Sequence, residues 1–334
     1  MKAMWRPVLR VTISITLILI VVASVDRGAL ASGLARIELI WLVMAFLLIW
    51  STNFVSAGRW SIVIRSLRPV GAHRPSYWRL WSLYWIGQFF NQLLPSGLGG
   101  DGVRMWLVRR AGLPTGLAIT SVVVDRVVAL AAIALLVAIA LPFAFDGTGS
   151  QTAPIWLWGV VAGCALAIVA VVGLGTLPLP RLLSANPMVR GVRQLGKDLW
   201  KLMIRPGYVA ATLGASIAVQ LLGAAAVYAI AQSLGVGIGL FTCVALMPIV
   251  VLATALPISI AGWGVREVAM VAVLGSVGVT EESALLISLL YGAVAVVISL
   301  PGGALWLFGR RDDGGILKRS GPDMGPPAAN AAEL

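Results

Sequence analysis

Charge is what this sequence has least of. Of its 334 residues only 11% are Asp, Glu, Lys or Arg, against roughly a quarter in a soluble globular domain. There is one histidine, His73, and there are two cysteines, Cys164 and Cys243, both inside apolar runs. So few ligating side chains argue against a zinc centre, a histidine phosphoenzyme or a disulfide framework. The spaced carboxylates of a catalytic metal site are missing too. So are the short alternating segments of a transmembrane β-barrel.

Apolar sequence takes the place of charge. The chain is 59% hydrophobic with a mean hydropathy of +0.95. Several runs exceed the roughly 18–20 residues needed to cross a bilayer. In hydrocarbon the backbone must satisfy its own hydrogen bonds, so these runs are helices. Six full spans are predicted: Val8–Val25, Leu39–Ala57, Leu117–Phe143, Ile155–Leu177, Tyr208–Ser233 and Ala284–Phe308. The first follows Lys2, Arg6 and Arg10 and so resembles a signal peptide, but the spans behind it favour a retained anchor. The segment Arg181–Arg205 reads as an amphipathic helix on the inner leaflet. Residues 1–310 form one transmembrane unit, and the Gly-, Pro- and Ala-rich stretch 311–334 is expected to be a disordered cytoplasmic tail.

Two further regions, Tyr77–Leu94 and Phe241–Leu256, are apolar but each runs into a proline and a glycine-rich stretch. At 1.5 Å per residue each reaches about 25 Å, short of a ~30 Å hydrocarbon core. They are predicted to be the descending arms of re-entrant hairpins, with Gly102–Gly112 and Gly264–Gly278 as the ascending arms. A shallow pair lying at the interface is the alternative.

The net charge of +12 sits in loops between apolar runs, which points to membrane orientation and anionic headgroups, not nucleic acid. With the N-terminus inside, 21 of the 25 basic residues fall on the cytoplasmic side, Arg59, Arg65 and Arg68 among them. That asymmetry predicts a multi-pass protein of the cell (inner) membrane with both termini cytoplasmic.

Both hairpin tips carry the same string. Leu94–Arg104 aligns without a gap on Leu256–Arg266, identical at six of eleven positions in a Leu-Pro-x4-Gly-x-Gly-Val-Arg frame. Three spans separate the copies, so one hairpin enters from each side. The fold expected is therefore all-α, with about six spans and two re-entrant hairpins in an inverted-topology repeat (39–143 and 208–308), an arrangement associated with transporters. Two unrelated helix-breaking loops are the alternative.

The chemistry of the tips follows from the backbone. Pro95 and Pro257 end the first arms and donate no hydrogen bond. Ser96, Gly99, Gly100 and Gly102, and Gly262 and Gly264 in the second copy, permit tight reversal and close approach. The second arms then offer free N–H groups and a positive dipole end, with Arg104 or Arg266 one turn in, suited to a phosphate. Small residues that merely allow helix packing would look the same. Asp125 and Arg126 lie within a span, where charge is costly and is paired or faces water. Adjacent helical positions point about 100° apart, so Asp125 is expected to reach Arg104 or another hairpin arginine, and Arg126 to reach Asp101 or a lipid phosphate. Arg266 and Glu267 are the counterparts at the second tip. Asn53, Arg59 and Trp60 close the second span, and Gln88, Asn91 and Gln92 line the first arm; polar residues there face either a cavity or a neighbouring helix.

Taken together, Gln88–Arg104, Asp125-Arg126, Leu256-Pro257 and Gly262–Glu267 resemble the lysylphosphatidylglycerol synthase transmembrane-region family, also called the flippase-like domain family. The resemblance covers about residues 5–310. It implies movement of a lipid between leaflets: aminoacylated phosphatidylglycerol in members with a soluble aminoacyl-transfer domain, other lipids in standalone members. No such domain follows here, so no synthase activity and no cofactor are expected. The partners implied are anionic or aminoacylated phospholipids or other lipid phosphates, with a separate lipid-modifying enzyme. A secondary transporter of a small anionic solute is the alternative function, and a membrane enzyme acting on lipid phosphates a weaker one.

Overall fold

The computed structural model describes residues 37–69, 75–94, 99–145, 155–176, 186–254 and 263–308. Among them the regular structure is helical. The predicted span Val8–Val25 and the tail 311–334 lie outside the described residues, as do Pro95, Ser96, Pro257 and Gly262.

Among the described residues, four helices are long and apolar enough to cross a membrane: α1 (Leu39–Leu67), α4 (Thr115–Phe145), α7 (Pro206–Ser233) and α10 (Glu281–Phe308). Between the first two come α2 (Tyr77–Leu93) and α3 (Gly99–Arg110). After α4 follow α5 (Ile155–Thr176), which fills most of the expected span there, and α6 (Pro187–Met203). Before α10 lie α8 (Leu240–Thr254) and α9 (Val265–Gly275). With 17, 12, 15 and 11 residues, α2, α3, α8 and α9 are each too short to cross alone.

Local chemistry sets the ends. Ser76 caps α2, its hydroxyl accepting from Arg79 N–H. Pro206 opens α7, where a missing N–H costs nothing. Glu281 and Glu282 sit in the first turn of α10, against the positive end of its dipole. The arm α3 starts at Gly99, three residues ahead of expectation, because Asp101 in its first turn offsets the weak helix propensity of the glycines.

The largest departure from expectation is α1, which continues ten residues past Ala57 to Leu67. Trp60, Val63, Ile64 and Leu67 extend the buried stripe at helical spacing. Arg59 therefore belongs to no cytoplasmic loop. It is buried within the bundle, 6% exposed, and it leaves the set of basic residues that argued for orientation.

Because it is so long, α1 joins two cores. Its first half, through Ala45 and Ile49, packs with α7, α8, α9 and α10 around Ile230, Leu246, Leu274 and Ile287. Its second half, through Ala57, Trp60 and Ile64, packs with α2, α3 and the start of α4 around Leu83, Leu107 and Val122. The amphipathic α6 covers the end of the second half: Leu199 and Leu202 close over Val63, Leu67, Val124 and Val128. Large apolar side chains such as Ile40, Leu166, Val297 and Leu307 face outwards, as lipid contact requires.

Candidate functional site

The first hairpin closes through glycine. Arms α2 and α3 touch where a Cβ on Gly100 would overlap the carbonyl oxygen of Gly87 and the side chain of Asn91. Gly100 N–H donates to Asn91 Oδ1 at 2.9 Å, and Asn91 Nδ2 donates to Gln88 Oε1 at 3.1 Å. One free N–H at the start of α3 is thus satisfied from within the hairpin.

That closure delivers Asp101 and Arg104 to a charge cluster. Arg104 Nη1 donates to Asp101 Oδ1 at 3.2 Å and Nη2 to Asp125 Oδ2 at 3.3 Å. Arg59 Nε donates to Asp125 Oδ1 at 2.8 Å, and its Nη1 donates to Ser216 Oγ on α7 at 3.2 Å. Arg126 grips Asp101 with two bonds, Nε at 2.7 Å and Nη2 at 3.1 Å. Asp125 and Arg126 thus diverge as their helical offset requires. The Arg104 guanidinium lies between Trp60 and Tyr84, 4.3 and 4.5 Å from their ring centroids, in cation–π contact with both. Three arginines meet two aspartates here, leaving one excess positive charge. Asp101, Arg104 and Asp125 are almost wholly buried, so desolvation is severe and only dense pairing offsets it. Arg126 is the exception, its side chain 46% exposed.

The second site is self-contained. Gly264, at φ 86°, turns the chain into α9, and its N–H donates to Glu267 Oε2. Glu267 Oε1 accepts from Arg266 Nη2 at 2.6 Å, Arg266 Nε at 3.1 Å and Ser288 Oγ at 3.1 Å. Trp263 stacks on the Arg266 guanidinium with its ring centroid 4.5 Å away. This site is neutral: one arginine, one carboxylate.

Between the helices lies a cavity of about 320 Å³, at the small end of the ~300–1,000 Å³ of small-molecule sites. Its polar wall takes Asn53 from α1, Gln88 and Gln92 from α2, Gln220 from α7, Arg266 from α9 and Tyr291 from α10. The second site therefore opens on the cavity directly. The first connects with it through Gln88, whose Nε2 also donates to the Tyr84 hydroxyl at 3.5 Å.

Of the residues singled out from sequence, Asp101, Arg104, Asp125 and Arg126 come together in one cluster, with Asn91 and Gly100 supporting it. Arg266, Glu267 and Gly264 form the other. Gly99 and Gly102 lie in the first turn of α3, and a Cβ on Gly102 would meet nothing within 4 Å. Arg59, counted from sequence among the cytoplasmic basic residues at the end of the second span, joins the first cluster, its signal being the helical stripe that runs on beyond Ala57. Gln220, a carboxamide in the middle of the apolar sequence of α7, was missed.

Buried ion pairs and a polar cavity inside an apolar helical bundle define a multi-pass α-helical membrane protein with an internal polar site. Residues 8–302 match the family described as lysylphosphatidylglycerol synthase TM region. The chain belongs to that family, which ties it to lipid-related function in the membrane. No curated protein matches it.

Proposed function

We propose that this protein is a lipid translocase of the cell membrane, carrying a phosphate-containing or aminoacylated lipid between leaflets. The observation that carries the reading is the polar cavity enclosed by long apolar helices and short broken ones. A headgroup crossing unaided must give up its hydration in hydrocarbon, where even one charge costs several kcal/mol. Carboxamides, hydroxyls and a compensated arginine replace that hydration inside the protein.

The arms support the same reading. Each pair, α2 with α3 and α8 with α9, packs together and brings an arginine into the bundle. We read them as two oppositely entering halves of an inverted repeat, Leu39–Phe145 and Pro206–Phe308, rocking about the cavity to expose it to one leaflet and then the other. The termini are cytoplasmic on this reading, and no chemical step is assigned to the protein.

Reconstitution into vesicles with acyl-labelled lipids tests the proposal. Faster transfer of at least one phosphate-containing or aminoacylated lipid than in protein-free vesicles is expected; equal rates for all of them overturn it. The excess positive charge at Asp101, Arg104, Asp125, Arg59 and Arg126 favours a second reading, transport of a small anion. Uptake of soluble phosphate or carboxylate without lipid transfer would establish that reading instead.

A further inference from the structure

The cavity wall is charge-compensated, and compensation selects its occupant. Arg266 brings the only cation among the described lining residues. Both oxygens of Glu267 are engaged, Oε1 by Arg266 and Ser288, Oε2 by Gly264. An entering phosphate or carboxylate would find no spare cation at the wall. An entering ammonium would find no spare carboxylate and would face a guanidinium. Either would be a buried charge without a partner.

What the wall does offer is neutral hydrogen bonding. Asn53, Gln88, Gln92 and Gln220 contribute four carboxamides, and Thr254 and Tyr291 contribute hydroxyls. A carboxamide supplies two donors and an acceptor. Among the described residues neither Gln92 nor Gln220 has a hydrogen-bond partner, and Arg266 Nη1 has none either. Donors and acceptors in one cavity wall, without a partner among the described residues, match groups that both donate and accept. That is the chemistry of hydroxyls, and of several hydroxyls on one small frame.

Resting on the translocase reading, we infer that the cavity binds the uncharged, hydroxyl-bearing end of a lipid headgroup, a glycerol, inositol or sugar. It discriminates against ammonium and carboxylate ends.

Two measurements on the full-length protein separate this inference from translocation itself. The first is retention by native mass spectrometry of four lipids at equal concentration: glucosyl diacylglycerol, phosphatidylglycerol, phosphatidylserine and lysyl-phosphatidylglycerol. The first two are expected to be retained preferentially. Gln220→Leu and Gln92→Leu should each weaken that retention by roughly threefold to tenfold, the effect of one lost hydrogen bond. Gln220→Glu should raise retention of the lysyl lipid, a gain that misfolding cannot produce. Equal or preferred retention of the seryl or lysyl lipid by the unaltered protein overturns the inference. So does a Gln220→Glu variant with unchanged selectivity. Free glucose distinguishes sources of the same chemistry: displacement of the glucosyl lipid points to a soluble sugar, its failure to a lipid.

The second measurement is transfer of the same four lipids in vesicles. Transfer of the lysyl or seryl lipid at the rate of the others overturns the headgroup assignment and leaves translocation standing. No transfer of any of them, with selective retention intact, overturns translocation and leaves the assignment standing.

Discussion

Arg104 and Arg266 occupy the same position in the repeated string and are both buried, both paired with an acid and both stacked on an aromatic ring. The partners come from different places. Three residues before Arg104 stands its acid, Asp101, while its rings, Trp60 and Tyr84, come from other helices. Three residues before Arg266 stands its ring, Trp263, while its acid, Glu267, is the next residue in the chain. The aromatic of the second copy stands where the first copy has its acid, and the acid of the second copy stands where the first has Met105. The first arrangement needs α1 and α4 to complete it and ends with an excess positive charge. The second is complete within α9 and its N-terminal turn, apart from one hydroxyl from α10, and ends neutral. The charged site is thus a joint between elements, and the neutral one a local fixture in the cavity wall.

The sharpest way to break the comparison is to remove the joint. Asp125→Asn leaves Arg59 without its carboxylate and Arg104 with only Asp101. The expected loss is about 3–5 kcal/mol, the usual effect of stripping one partner from a buried pair. Thermal unfolding in detergent measures it. Removing the other partner as well, in Asp125→Asn with Arg59→Gln, should recover part of the loss. A double variant no better than the single one would mean that the two do not act as a pair.

The local fixture should yield less. Arg266→Gln is expected to destabilise by about 3 kcal/mol, the low end of the same range, because Glu267 keeps Gly264 and Ser288. Adding Glu267→Gln should restore most of this, since a neutral pair replaces a neutral ion pair. If the two single variants instead add in the double, measured by the same melts, the pair is not a closed unit.

The difference between the sites also explains what could be read in advance. The pairing of Asp101 with Arg104 is local, one helical turn apart, and the divergence of Asp125 from Arg126 follows from helix geometry alone. The tie between Arg59 and Asp125 spans 66 positions and needs α1 packed against α4, which no local pattern encodes. Arg59 itself was misplaced because a basic residue near the end of an apolar run looks like a loop. Only the continuing stripe of Trp60, Val63, Ile64 and Leu67 says otherwise. The broken arms were visible from their prolines and glycines. The cavity was legible only in part: Asn53, Gln88 and Gln92 were read as facing either a cavity or a neighbouring helix, but Gln220, Arg266 and Tyr291 come from three further helices that no local pattern brings together. The match of family over residues 8–302 agrees with the motifs that carried the resemblance.

A transplant sharpens the comparison further. Asp101→Asn should lose roughly 1.5–3 kcal/mol, the strength of hydrogen bonds to charged groups. Met105 aligns with Glu267, so adding Met105→Glu supplies an acid where the second copy has one. Partial recovery of the melting temperature is expected. No recovery would show that Arg104, held between Trp60 and Tyr84, cannot turn to an acid on its C-terminal side.

The smallest effects come from the aligned glycines Gly102 and Gly264, and here the sign itself should differ. Gly264 has φ 86° and ψ −54°, a sparsely populated conformation that costs an L side chain roughly 1–3 kcal/mol. Gly264→Ala should therefore destabilise by about that much, and it should loosen the N–H bond to Glu267 that holds Arg266. Gly102 is helical, inside the first turn of α3, and a Cβ there meets nothing within 4 Å. Gly102→Ala should leave stability unchanged or raise it by up to ~1 kcal/mol, the helix propensity difference. Thermal unfolding of the two variants side by side decides the matter. Equal destabilisation would mean that the two tips share one backbone geometry, and that the replacement of Asp101 by Trp263 and of Met105 by Glu267 is a change of side chains on a common turn. Opposite signs would mean that the turn itself has diverged, with the first copy continuing its helix through a position where the second must reverse.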